Sequence, residues 1–167
     1  MSAAAECTDA LALLAWARVW SPLASAAERD EAWQALGLGP ADGAVDGAYW
    51  STFHAALPAP RVPLLLHAAL GREGAQLREE LSRVASFLQL RWRERILPPD
   101  HLAAACELLA AALENGDERL ATELRRRYLQ PWCAMARERL AADGSPLLLM
   151  ADAFAQDLEP QAAPSGA

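Results

Sequence analysis

The stretch Leu97–Leu113 reads LPPDHLAAACELLAAAL. From Leu102 onward, Leu102, Cys106, Leu109 and Leu113 return at steps of three and four, so they share one face of a helix. Pro98 and Pro99 are poor helix-interior residues, so the predicted helix starts near Asp100. Asp is a favoured N-cap because its carboxylate accepts from free backbone N–H groups. The cap alone does not explain His101, which sits in the first turn where the positive helix end disfavours an imidazolium. If Asp100 and His101 bond to each other, the imidazole is held in one tautomer, ready to donate or accept. Two readings therefore stand side by side, a structural cap and a pair that binds or exchanges protons. The catalytic form of the second lacks a nucleophile or further carboxylate at a recognisable spacing.

Working outward, helical signals recur along the chain. A first helix is predicted from Thr8 or Asp9 to Trp20, stopped by Ser21-Pro22. Ser25 with Glu28 three residues on forms a capping box for a second, which Gly37 ends. A loop rich in Gly, Pro and Asp follows; it has neither the Lys nor the Ser/Thr of a phosphate-binding loop. A third helix is expected over Asp46–Leu57, a short fourth over Pro63–Leu70 closed by Gly71, and a fifth over Glu73–Leu90. The fifth carries Leu77, Leu81, Val84 and Leu88 at helical spacing. After Gly116, a seventh helix is predicted from Asp117 to Leu129, and Pro131 signals the start of an eighth with Trp132, Met135 and Leu140 inward. Ser145-Pro146 repeats that signal for a ninth, ending near Leu158. No segment alternates like a strand. The expected fold is all-α, a single-domain helical globule of eight to nine helices over 1–158, with 159–167 as a tail.

Composition narrows the function classes. The 167 residues are 53% hydrophobic and 22% charged, enough for one sizeable core. All fifteen basic residues are Arg, and the net charge of −7 argues against nucleic acid as the main partner. The apolar runs are too short to span a bilayer, and Glu6 and Asp9 stand where an export signal would carry basic residues. Three cysteines, Cys7, Cys106 and Cys133, make no CxxC and suggest neither a disulfide framework nor zinc. His54, His67 and His101 show no metal-ligand spacing. A reduced, cytoplasmic protein without metal, cofactor or stable membrane insertion is expected.

The stretch LPPDHLAAACELLAAAL, followed by YLQPWCAMARERL at Tyr128–Leu140, resembles the TorD/DmsD/NarJ family of molybdoenzyme maturation chaperones. The family pattern is Glu-Pro-any-Asp-His, a Glu six residues past the His, and a later Leu-any-Pro-Trp. Pro98, Asp100 and His101 match the first part, Glu107 the second, and Leu129, Pro131 and Trp132 the third. Tyr49 to Phe53 looks like an upstream Tyr-x-x-Leu-Phe element, with Thr52 where Leu is usual. Leu97 replaces the usual Glu, which is nearer the nitrate-reductase branch, whereas the Pro-Trp element is nearer the TorD/DmsD branch. The resemblance covers roughly Tyr49 to Leu140.

The resemblance implies a non-enzymatic, cytoplasmic chaperone. Its partner would be the apo catalytic subunit of a molybdopterin oxidoreductase, held by an N-terminal leader that can be a twin-arginine signal peptide, until cofactor insertion. The implied leader-binding residues are Asp100, His101, Pro98, Glu107, Trp92, Trp132, Tyr49 and Phe53. Asp100 and Glu107 would pair with leader guanidinium groups, and a groove lined by Trp92, Leu102 and Trp132 would take the apolar part. On this reading Asp100→Asn spares the fold, because Asn caps nearly as well. The chain would be a monomer or a domain-swapped dimer. The alternatives are a small helical enzyme using Asp100-His101 as an acid–base pair, and a generic helical adaptor.

Overall fold

In the computed structural model, which describes residues 3–39, 43–90 and 97–159, the chain forms α1 (Ala3–Trp20), α2 (Ala26–Ala35), α3 (Gly43–Phe53), α4 (Leu66–Leu70) and α5 (Gly74–Phe87). These are followed by α6 (Leu102–Glu114), α7 (Glu118–Leu124), a π turn (Arg125–Leu129), α8 (Gln130–Ala142) and α9 (Leu148–Asp157). The fold is all-α. Among the described residues no strand forms, and the one departure from helix pairing is an isolated antiparallel bridge between Leu65 and His101.

The hub is α6. Ten of its thirteen residues are buried, including Ala103, Ala104, Ala105, Ala110 and Ala112 as well as the predicted Leu102, Cys106, Leu109 and Leu113. A helix apolar on nearly every side must be enclosed, and its alanines let neighbouring backbones approach closely. Its main partner is α1. Beside it, Trp16 and Trp20 of α1 stack with ring centroids 5.5 Å apart. Trp20 also meets Phe53 of α3 at 5.3 Å, Trp132 of α8 at 5.2 Å and Phe154 of α9 at 5.4 Å. Four helices thus share one aromatic cluster, each tilted or edge-on pair adding about 0.5–1.5 kcal/mol beyond its burial. Trp132 is fully buried, as its position after Pro131 predicts.

Several predicted boundaries hold. Ser25 and Glu28 form the reciprocal capping box. Gly71 ends α4 at φ +63°, a left-handed conformation that a side chain would strain. Others shift for local reasons. The helix-favouring run Ala3-Ala4-Ala5-Glu6 lets α1 begin before Thr8. Helix α3 stops at Phe53 rather than Leu57, because Val62 N–H donates to the Thr52 carbonyl (3.1 Å) that residue 56 would otherwise use. The predicted start of α4 at Pro63 is corrected to Leu66: residues 63–65 are held extended by the bridge to His101.

The largest correction concerns Pro131. It does not open a separate helix; α7 runs into α8 through the π turn, in which Gln130 N–H donates to the Arg125 carbonyl five residues back. Pro131 has no N–H to donate, and its ring would crowd the carbonyl four residues earlier. A widened turn at that point accommodates both defects without breaking the rod.

No helix of the described residues is long and apolar enough to cross a membrane. No group of three or more His, Cys, Asp or Glu among them could hold a metal ion. Cys106 and Cys133 are buried free thiols.

Candidate functional site

Pro98, Pro99, Asp100 and His101 form a tight turn closed by His101 N–H donating to the Pro98 carbonyl at 3.0 Å. Pro99 occupies the second position of that turn, where its fixed φ is favourable. The cap of α6 is His101, not Asp100. His101 has extended backbone, and its Nδ1 accepts from Ala103 N–H at 3.2 Å. That contact requires Nδ1 to be unprotonated, so the proton of the neutral ring sits on Nε2. Burial pushes His101 down to about 4, with Asp100 pulling weakly the other way.

The Asp100 and His101 side chains do not pair with each other. The Asp100 carboxylate is fully buried and faces two partners distant in sequence: one oxygen accepts from Arg78 Nε at 3.0 Å, the other meets His67 Nδ1. The backbone locks the same corner. Leu66 N–H donates to the Asp100 carbonyl and Leu102 N–H to the Leu64 carbonyl, both at 2.8 Å. Trp132 Nε1–H closes the set on the Pro63 carbonyl at 2.9 Å. Residues 63–67 are therefore held by Asp100 and Leu102 from one side and by Trp132 from another.

Gly74 is required beside this corner. A Cβ there would stand 3.3 Å from the His67 ring, closer than ordinary van der Waals contact. Sequence reasoning missed His67 and Arg78 as partners of Asp100, because no local spacing links residues 33 and 22 positions away.

Tyr49 and Phe53 also lie in the core, each 2% exposed. The Tyr49 hydroxyl donates to the Val19 carbonyl and accepts from His54 Nε2 at 2.9 Å, tying α3 to the end of α1. Burial pushes His54 down to about 4, helped by His101 and Arg29. Four of the eight implied binding residues, Asp100, Trp132, Tyr49 and Phe53, are thus enclosed and bonded inside the molecule. His101 is nearly so, and Pro98 is half-buried in the turn. Leu102 and Trp132 do not line a groove, since neither has exposed surface. Trp92 lies outside the described residues.

Glu107 has a different setting. It is half-buried and lines a cavity of about 450 Å³ bounded by α1, the start of α2, Leu90 and α6. The walls are apolar at Leu14, Ala17, Leu23, Ala110 and Ala111. Its charged residues are Glu28, Glu107 and Glu114 against Arg18.

Comparisons with protein-family models, with curated proteins and with solved structures returned no match for this chain.

Proposed function

We propose that the chain is a maturation chaperone of the TorD/DmsD/NarJ kind, which binds the N-terminal leader of an apo molybdopterin oxidoreductase subunit. The observation that carries this reading is the convergence of the motif. Pro98-Pro99-Asp100-His101 and Pro131-Trp132 are some thirty residues apart in sequence, yet both fasten the same short segment, Pro63 to His67. Elements that jointly hold one corner of a fold form a coherent pattern, which supports treating their co-occurrence as a family signature rather than coincidence. The net charge of −7 suits a partner with a basic leader.

The acid–base alternative loses its geometric basis, because Asp100 faces His67 and Arg78 instead of His101. The adaptor alternative predicts no selectivity for leaders. The test is co-purification of the full chain with the catalytic subunit of a molybdopterin oxidoreductase encoded beside it, with and without that subunit's leader. Retention that depends on the leader is expected. Equal retention with both forms, or none with either, overturns the reading.

A further inference from the structure

From the geometry we infer that the cavity between α1, α2 and α6 is the peptide-docking site, and that its occupant is a segment with arginines beside an apolar run. This inference rests on the chaperone reading and locates its binding surface. Three features of the cavity point to such an occupant.

First, its walls combine apolar surface with an excess of carboxylates. Glu28, Glu107 and Glu114 face it with Arg18 as the one cation among the described lining residues. A guanidinium is weakly hydrated and presents a planar fork of donors that fits carboxylates, so arginine suits a partly apolar setting better than lysine. Second, large apolar side chains stand exposed here without burying one another. Leu14 is 36% and Leu23 54% exposed, and Leu11, one turn before Leu14 on α1, is 60% exposed. Leu11 and Leu14 continue the apolar wall beyond the cavity, as a surface for an elongated partner rather than a compact molecule. Third, the volume of about 450 Å³ is that of a small-ligand pocket. It admits a few side chains of a peptide whose remainder lies along α1. Glu107 and Glu114 are seven positions apart on α6, about two turns or 10 Å. Basic side chains on neighbouring turns of a bound helix can reach both.

Three labelled synthetic peptides test this by fluorescence anisotropy against the full chain. One carries an Arg-Arg pair ahead of a Leu/Ala run, the second has Gln-Gln for the pair, and the third keeps the pair but has Ser/Gly for the run. The first should bind at least about tenfold more tightly than either of the others, and its affinity should fall with added salt. The double variant Glu107→Gln/Glu114→Gln should abolish the preference for Arg-Arg over Gln-Gln. Leu14→Glu should weaken the first peptide at least about tenfold. Leu149→Glu, on α9 away from the cavity, should bind like the parent. Because Glu107 is half-buried, the single variant Glu114→Gln at an exposed position guards against a folding defect, and it alone should reduce the Arg-Arg preference.

If the client subunit is captured through its leader but the cavity variants bind peptide like the parent, the docking site is wrong and the chaperone reading survives. If no leader-dependent capture occurs, both fall. If the cavity variants change the oligomeric state and leave peptide affinity intact, the occupant is a second copy of the chain and the proposal is overturned.

Discussion

Asp100 and Glu107 both belong to the same motif stretch, yet the molecule treats them oppositely. Asp100 is enclosed, with Arg78 and His67 on its two oxygens and its carbonyl in a backbone bond. Glu107 faces a cavity of about 450 Å³ walled by alanine and leucine. The difference teaches that the residues with the most expressive chemistry need not be those that meet a partner. In the corner built on residues 63–67 and 98–102, polar groups hold non-helical backbone inside a helical protein, where an unpaired N–H or C=O would be costly. In the cavity, plain side chains leave apolar surface open under a carboxylate rim.

The sharpest way to break this contrast is at Trp132. It is fully buried, joins the aromatic cluster and donates to the Pro63 carbonyl. Trp132→Ala should cost about 3–5 kcal/mol in urea unfolding. A near-unchanged midpoint would mean that the corner is not part of the core.

Asp100→Asn comes next, and here the structure reverses the sequence expectation. Had Asp100 been the cap, Asn would replace it almost freely. Since it instead receives an arginine and an imidazole in a buried position, loss of its charge should destabilise the fold by about 1–3 kcal/mol. The estimate is kept low because Arg78 is 43% exposed and can be rehydrated. His101→Gln, which removes the actual cap, should cost about 0.5–2 kcal/mol. Denaturation midpoints that rank Asp100→Asn below His101→Gln in cost would return the cap to Asp100.

The histidines give a pH readout of the same region. Burial holds His101 and His54 near a pKa of about 4, against an ordinary value of about 6.5. Between those values the unfolded chain binds protons that the folded chain does not. Stability should therefore be fully present above about pH 6.5 and decline as pH falls toward 4. For His101, which is 6% exposed, the loss from pH 7.5 to 5 should be about 1–2 kcal/mol. Urea midpoints across that range measure it, and His101→Asn should flatten the slope. A slope unchanged by that substitution would show that the ring is hydrated and the corner open.

How much of this was legible in the sequence follows from what each signal can reach. Local signals act within a turn or two. The Ser25–Glu28 box, the Gly71 stop and the apolar face of α6 were therefore readable. The end of α3 was not, because it depends on Val62 competing for the Thr52 carbonyl. The continuity of α7 and α8 was missed because a proline that usually starts a helix is tolerated here by a widened turn. Asp100 and His101 were found as residues that matter, but their partners were invisible: the Leu65–His101 bridge brings His67 to Asp100. The cavity left one faint trace, the presence of Leu11 and Leu14 alongside Leu13 and Trp16 on α1. Such a helix has more apolar surface than one flank can bury.

The smallest expected effect concerns that cavity. Glu114 is exposed, and Leu14 is over a third exposed. Glu114→Gln and Leu14→Gln should each change stability by less than about 0.5 kcal/mol, as surface substitutions do. Partners of a closed core do not behave that way: their removal leaves a void or an unpaired charge, and the cost grows with enclosure. Equilibrium unfolding of the two variants beside Trp132→Ala therefore asks whether the cavity wall is surface or interior. A cost above about 1 kcal/mol at Leu14 would mean that α1 packs there against something within the chain. The cavity would then be closed in solution, and the division between a fastened corner and an open groove would fail at its open end.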